Sequence, residues 1–166
     1  MKAYMTNGTL DFLMKLQDKH PAINFFFMTN NGGALAYYEE SEKQIFGAGR
    51  TYEVIKKSGE LIQKGYVVMN TIAVMDDDHA VFEDRIKNNL LDKIEGVQAF
   101  RFLKPIKSNK YVVLTHWNSI ADYEKWKESD RYKEAHQVLS VKLPAYYNDM
   151  PFTTTYFMHE EDTEKS

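Results

Sequence analysis

The sequence predicts an α+β protein made of two lobes that each open with the element order β-α-β-β. Three observations predict it. β-Branched and aromatic runs alternate along the chain with amphipathic helical stretches, rather than segregating into separate halves. The order strand, helix, strand, strand occurs within residues 2–38 and returns at greater length within 66–117, with a lobe boundary near 60–65. Finally, 166 residues of which 43% are hydrophobic suffice for one sizeable domain, or for two small lobes sharing a core.

Residues 2–6 read as a strand and Asn7-Gly8 as a turn. Thr9 is placed to cap a helix carrying Leu10, Phe12, Leu13 and Leu16, which stops near His20-Pro21. Strand-like runs follow at 23–28 and 34–38, joined by the Asn30-Asn31-Gly32-Gly33 turn. Residues 51–63 are expected to form another short helix. So small an open lobe needs a second surface to bury its apolar face.

The second half begins with a strand over 66–75, rich in Val and Ile. Asp76-Asp77-Asp78 puts acids at a helix start, where they suit the dipole. Phe82, Ile86, Leu90 and Ile94 recur every four residues and mark that helix's buried face, and Gly96 stops it. Strands are expected at 97–104 and 111–117, with a polar hairpin connection at 105–110. Ser119 with Asp122 approximates a capping box for a helix ending near Trp126, and Asp130 is placed to cap another through His136 and Leu139. Residues 153–158 supply a last strand, followed by a polar tail.

Composition narrows the function. With 21 basic and 24 acidic side chains the net charge is −3, which gives no global reason to bind nucleic acid. The absence of cysteine excludes disulfides, thiolate metal sites and cofactor attachment through paired cysteines. The N-terminal residues lack the apolar run of a signal peptide, and no stretch is apolar enough to span a membrane, so a cytoplasmic protein is expected. There is no nucleophile elbow, phosphate-cradling glycine loop or dinucleotide fingerprint. The acidic runs Glu39-Glu40 and Asp76-Asp77-Asp78 read as solvated surface or a helix start.

Three residues need a reason for where they stand. Asn70 interrupts a strand that is apolar on both faces, so its amide either bonds to nearby backbone or faces a ligand. His136 shares a helix face with Tyr132, Ala135 and Leu139, where a histidine is either a hydrogen-bonded core residue or a metal ligand. Zinc fits poorly because no neighbouring side chains complete a set of ligands. Haem iron differs, since the porphyrin supplies four nitrogens and one imidazole can suffice. Trp126 is ordinarily a core residue. On one straight helix it would lie about 80° around the axis from His136, but a break at Ser129-Asp130 lets the two converge. His116 is the rival ligand; it precedes Trp117 on a strand, so the two side chains point to opposite faces.

Asn70 within Val-Val-Met-Asn-Thr-Ile-Ala-Val, the strand Tyr-Val-Val-Leu-Thr-His-Trp at 111–117, and Trp126 through His136 together resemble the IsdG-type haem-degrading monooxygenases. These belong to the antibiotic-biosynthesis-monooxygenase superfamily. Asn7-Gly8-Thr9, Tyr52-Glu53-Val54-Ile55 with Gly59-Glu60, and Thr153-Thr154-Thr155-Tyr156-Phe157 are similar to its long, two-lobed HmoB-like branch, over nearly the whole chain. His116 is a departure, since an aliphatic residue is usual there.

The resemblance implies a ferredoxin-like unit at 63–160 in an α+β barrel, an N-terminal β-α-β-β lobe at 1–62 that completes the barrel, and a polar tail at 161–166. It implies His136 as the axial iron ligand, Trp126 as the residue that ruffles the haem and Asn70 as a distal hydrogen-bonding group. The implied activity is a monooxygenase that opens haem with oxygen and electrons from an external reductase, releasing iron. Haem is then both substrate and oxygen-activating centre. A built-in second lobe implies a monomer, with a homodimer as the alternative, and neither nucleic acid nor membrane as partner. The alternatives are a non-catalytic haem-binding or TRAP-like signalling protein, and a cofactor-free oxygenase of an aromatic substrate.

Overall fold

The computed structural model describes residues 1–40, 43–88, 94–130, 132–133 and 151–160. Its elements run β1 (Lys2–Gly8), α1 (Leu10–Lys19), β2 (Phe26–Asn30), β3 (Gly33–Glu39), β4 (Arg50–Ser58), β5 (Tyr66–Ala73), α2 (His79–Lys87), β6 (Val97–Pro105), β7 (Lys110–Trp117), α3 (Ile120–Lys127) and β8 (Phe152–Met158). Thr9 caps α1 by accepting a hydrogen bond from the Phe12 amide at 3.4 Å, and Ser119 caps α3 by accepting from Asp122 at 3.2 Å. Both caps satisfy amides that have no partner inside their helices. The three acids at 76–78 form a 3-10 turn ahead of α2.

Two stretches depart from their sequence expectation: Asn7-Gly8 is not a turn but the end of β1, paired with Leu35 and Ala34, and a predicted helix is a strand. Residues 51–58 are not helical but form strand β4. The segment lies between β1 and β6 and pairs antiparallel with both, so two ladders of hydrogen bonds outweigh a weak local helix preference. Alternation turns Val54 to one core and Ile55 to another, and a bulge follows between Val54 and Lys56.

The strands close into an antiparallel barrel in the order β1-β3-β2-β8-β5-β7-β6-β4. Each half of the chain contributes four adjacent strands in the same internal order, fourth-first-third-second. In the second half this is the ferredoxin-like arrangement β5-α2-β6-β7-α3-β8. In the first half the second helix is missing, and described residues 43–49 run without helix in its place. Two seams join the halves: β4 with β6 over six residue pairs, and β2 with β8 over two.

Period-two alternation sorts side chains between the barrel lumen and its outer faces. Met5, Met28, Leu35, Val67, Met69, Val112 and Leu114 line the lumen. Outside the second half, Tyr66, Val68, Ile72, Phe102, Val113 and Trp117 pack against Phe82 and Ile86 of α2. Leu90, expected on that face, lies outside the described residues. Outside the first half, Tyr4, Phe25, Phe27, Tyr38 and Phe46 pack with Leu13 of α1. Phe12, which α1 also carries, is 62% exposed.

Glu39 is likewise not solvated surface. It points into the lumen, where Arg101 of β6, itself fully buried, donates to both its oxygens at 3.0–3.2 Å. Burial works against the Arg101 charge, but the carboxylate more than offsets it and holds the guanidinium pKa above its ordinary value. Arg101 Nη1 also donates to the carbonyls of Ser58, Gly59 and Phe100.

Candidate functional site

β5 presents Tyr66, Val68, Asn70 and Ile72 to the outer face and Val67 and Met69 to the lumen. Asn70 is half-buried on that outer face, between Val113 of β7 and Thr153 of β8. The Thr153 hydroxyl donates to Asn70 Oδ1 at 2.7 Å. This occupies the carbonyl end of the amide and leaves Nδ2, which has no partner among the described residues, as the end presented outward.

Trp126 stands over the same sheet. Its ring lies 5.3 Å from Trp117 and 6.3 Å from Tyr123, with Tyr132 edge-on at 4.8 Å. The indole Nε1 is buried with no hydrogen-bond partner among the described residues. A cavity of about 230 Å³ adjoins the ring, lined by Ile94, Glu95, Asp122, Lys125 and Ser129. Burial, helped by the Tyr132 and Tyr66 phenols, pushes the Tyr123 pKa up to about 12, so this aromatic wall stays uncharged at neutral pH.

The helix break behind Trp126 is observed, with a different cap from the one expected. α3 ends at Lys127, and Ser129, not Asp130, accepts from the Tyr132 amide at 3.2 Å while donating to Trp126 O at 2.5 Å. A serine hydroxyl that donates back and accepts forward turns the chain within one residue. His136 lies outside the described residues.

The structure therefore brings Asn70 and Trp126 to one face of one sheet. Tyr66, whose ring is 5.7 Å from Tyr123, marks the Trp126 end; Asn70 lies four residues further along β5, or about 13 Å. The surface between them continues onto β8 through Thr155 and Phe157, the latter 51% exposed and 4.9 Å from Tyr66. An exposed aromatic beside an outward amide suits a broad, flat ligand. Sequence reading missed Thr153, Trp117, Tyr132 and Phe157 as parts of this surface. Their only signal was aromatic and β-branched content, because strand pairing supplies the rest.

In the first half the equivalent place is shut. Thr6, like Asn70 the fifth residue of its strand, donates to Ala48 O at 3.1 Å, and Phe25 and Phe46 cover the Tyr38 ring beside it.

His116 shares no face with Asn70 and Trp126. It points into the lumen beside Leu114, as alternation with Trp117 requires, and its Nε2–H donates to Lys64 O at 2.7 Å. Its Nδ1 is enclosed without a partner among the described residues. Burial holds its pKa below the ordinary value of 6.5, and the Arg101 charge adds to this against the opposing pull of the Lys64 carbonyl. The unfolded chain thus takes up a proton near pH 6.5 that the folded chain refuses. Stability contributed by neutral His116 is present above that value and lost as pH falls below it, with a slope of at most about 1.4 kcal/mol per pH unit. Thermal melts from pH 7 to 5 should show a smaller decline in His116→Gln than in the parent; equal declines would contradict this account.

Among the described residues no three His, Asp or Glu side chains converge as metal ligands, and no helix is long and apolar enough to cross a membrane. Residues 65–138 match the family model for antibiotic biosynthesis monooxygenase. A Listeria monocytogenes protein described as a heme-degrading monooxygenase is 26% identical over 140 residues, spanning 83% of this chain and 84% of its own. A Staphylococcus epidermidis protein described as signal transduction protein TRAP is 24% identical over 136 residues, 81% of either chain. A solved structure of a major regulator of staphylococcal pathogenesis superposes with a TM-score of 0.86 over 96% of this chain and 100% of that one, at 21% identity, a likeness of fold. The matched stretch lies in the second half of the barrel, which has a ferredoxin-like fold.

Proposed function

We propose that the protein is a haem-degrading monooxygenase of the IsdG type, binding haem on the outer face of β5, β7 and β8. The observation that carries this reading is the pairing of an outward Asn70 amide nitrogen with the Trp126 indole on one otherwise apolar face. The Listeria relative supports the choice of substrate. Oxygen activation and ring opening are chemistry that comes with haem and with electrons from an external reductase.

The protein's own contribution is binding, orientation and distortion. His136, ten residues beyond Trp126, is the iron ligand in this reading. Trp126, braced by Trp117 and Tyr132, is a rigid edge that bends a flat ring laid against it. Asn70 donates through Nδ2 to whatever acceptor forms over the ring, and Thr153 is a positioning residue that fixes which end of the amide does so. Residues 63–160 are the haem-degrading domain, 1–62 the lobe that closes the barrel, and 161–166 a tail. A sheet closed by one chain supports a monomer, and a cytoplasmic location suits the supply of electrons.

Hemin added to the purified protein should give a Soret band that decays, with iron release, when ascorbate or a reductase is supplied. His136→Ala should weaken hemin binding at least tenfold and abolish decay; full binding and turnover in that variant would sink the ligand assignment. The staphylococcal relatives favour a second reading, a signalling protein without turnover. A Soret band stable under reductant and oxygen, with no iron released, is its signature.

A further inference from the structure

The barrel lumen is sealed at one end and open at the other. β4 runs the full height, from Arg50 to Ser58. At the Ser58 end the buried Arg101–Glu39 pair, with Tyr37 donating to Glu39 at 2.6 Å, blocks the bore. At the Arg50 end a cavity of about 670 Å³ enters between the 44–49 loop and the 105–110 hairpin. That volume is in the range of small-molecule sites.

Its inner wall takes Met5, Leu35, Met69 and Val112 from the lumen core, with Thr71 and Thr154 set among them. Its mouth is different. Arg50, Lys107 and Lys110 line it, all three exposed, and among the described residues no aspartate or glutamate does. In a chain of net charge −3 this is a local reversal of sign. Lys107 and Lys110 have no carboxylate partner among the described residues. Arg50 has neutral partners, donating to Asn7 Oδ1 at 2.8 Å and to the Tyr52 phenol. Three cations at the rim of a low-dielectric cleft focus a positive field into it. Phe152, 54% exposed, stands at the same mouth and adds an apolar surface to it.

From this pairing of apolar bore and cationic rim we propose that the lumen is a second binding site, which takes a free long-chain carboxylate with its chain inside and its carboxylate at the Arg50–Lys107–Lys110 mouth. The site lies across the sheet from Asn70 and Trp126, because Met69 and Asn70 face opposite ways on β5. It stands independently of the haem reading.

Titration with cis-parinaric acid, a fluorescent long-chain carboxylate, tests the proposal. The parent protein should bind one equivalent saturably. Lys107→Glu/Lys110→Glu, two exposed changes that leave folding intact, should weaken binding at least tenfold and leave the hemin titration unchanged. Met69→Trp should occlude the bore, and a circular dichroism melt establishes that this variant is folded. Absence of saturable binding by the parent, undiminished binding in Lys107→Glu/Lys110→Glu, or loss of binding in Trp126→Ala would each overturn the site. Binding to phosphatidylglycerol vesicles with none to free parinarate would also overturn it, by assigning the rim to a membrane surface.

Discussion

Arg101→Ala is expected to destabilise the fold by about 3–5 kcal/mol, the cost of leaving one member of a buried ion pair uncompensated. For a chain of this length that corresponds to a fall in Tm of roughly 6–20 °C. Arg101 is fully buried and its partner's side chain is only 10% exposed, so solvent cannot take over either role. The guanidinium fork ties β3, through Glu39, to the end of β4 and to β6, across the seam that joins the two halves. Lysine cannot replace it, because one ammonium does not span a carboxylate and three carbonyls. The double variant Glu39→Met/Arg101→Met should be more stable than Arg101→Ala, since no charge is then buried alone. Recovery should stop short of the parent, because the carbonyls of Ser58, Gly59 and Phe100 still lose their donor. A double-mutant cycle followed by thermal melting reads this directly. Strictly additive losses would mean that the two side chains do not act as a pair.

Trp117→Ala should cost a comparable amount, about 3–5 kcal/mol, because it deletes a large and fully buried ring. Trp117 connects the sheet to the candidate site. Its Nε1 donates to Thr115 Oγ1 at 2.9 Å, and its ring supports both Tyr123 and Trp126 at 5.3 Å. Trp117→Phe should cost less, since it keeps an aromatic surface and loses one hydrogen bond. The chain has two tryptophans, so this variant leaves Trp126 as the sole indole. Its fluorescence should be quenched by hemin as the Soret band grows. Quenching absent while the Soret band develops would place haem away from Trp126, and an unchanged Tm in Trp117→Ala would contradict the packing role.

Signals that act over a few residues are legible in the sequence. Thr9 and Ser119 cap the helices they are expected to cap, and the chain does break between Trp126 and Tyr132. Gly96, at φ +89°, has a backbone conformation suited to glycine, but it does not stop α2, which ends at Lys87 with Asn88 as its cap. Strand β5 shows apolar residues on both faces because one face lines the lumen and the other meets α2. The departures share a cause. Residues 51–58 carry a pattern compatible with helix or strand, and β1 and β6 decide between them. Glu39 beside Glu40 resembles solvated charge because Arg101, its partner, lies 62 residues away.

The order of amino acids alone dictates the α+β class, most element positions, the exclusion of thiolate chemistry and the three residues that need a reason for their place. Those are consequences of composition, periodicity and capping, all of which are local. It takes the folded barrel to establish that β4 closes the sheet, that Asn70 and Trp126 share an outer face, and that His116 belongs to the lumen. The barrel also supplies Thr153, 83 residues from Asn70 in the chain, as the group that turns the amide outward. Strand register is a long-range property: moving a pairing by one residue exchanges lumen for surface at every position. The same side chains in another register would still predict strands and would not bring Asn70 to the outer face that Trp126 stands over.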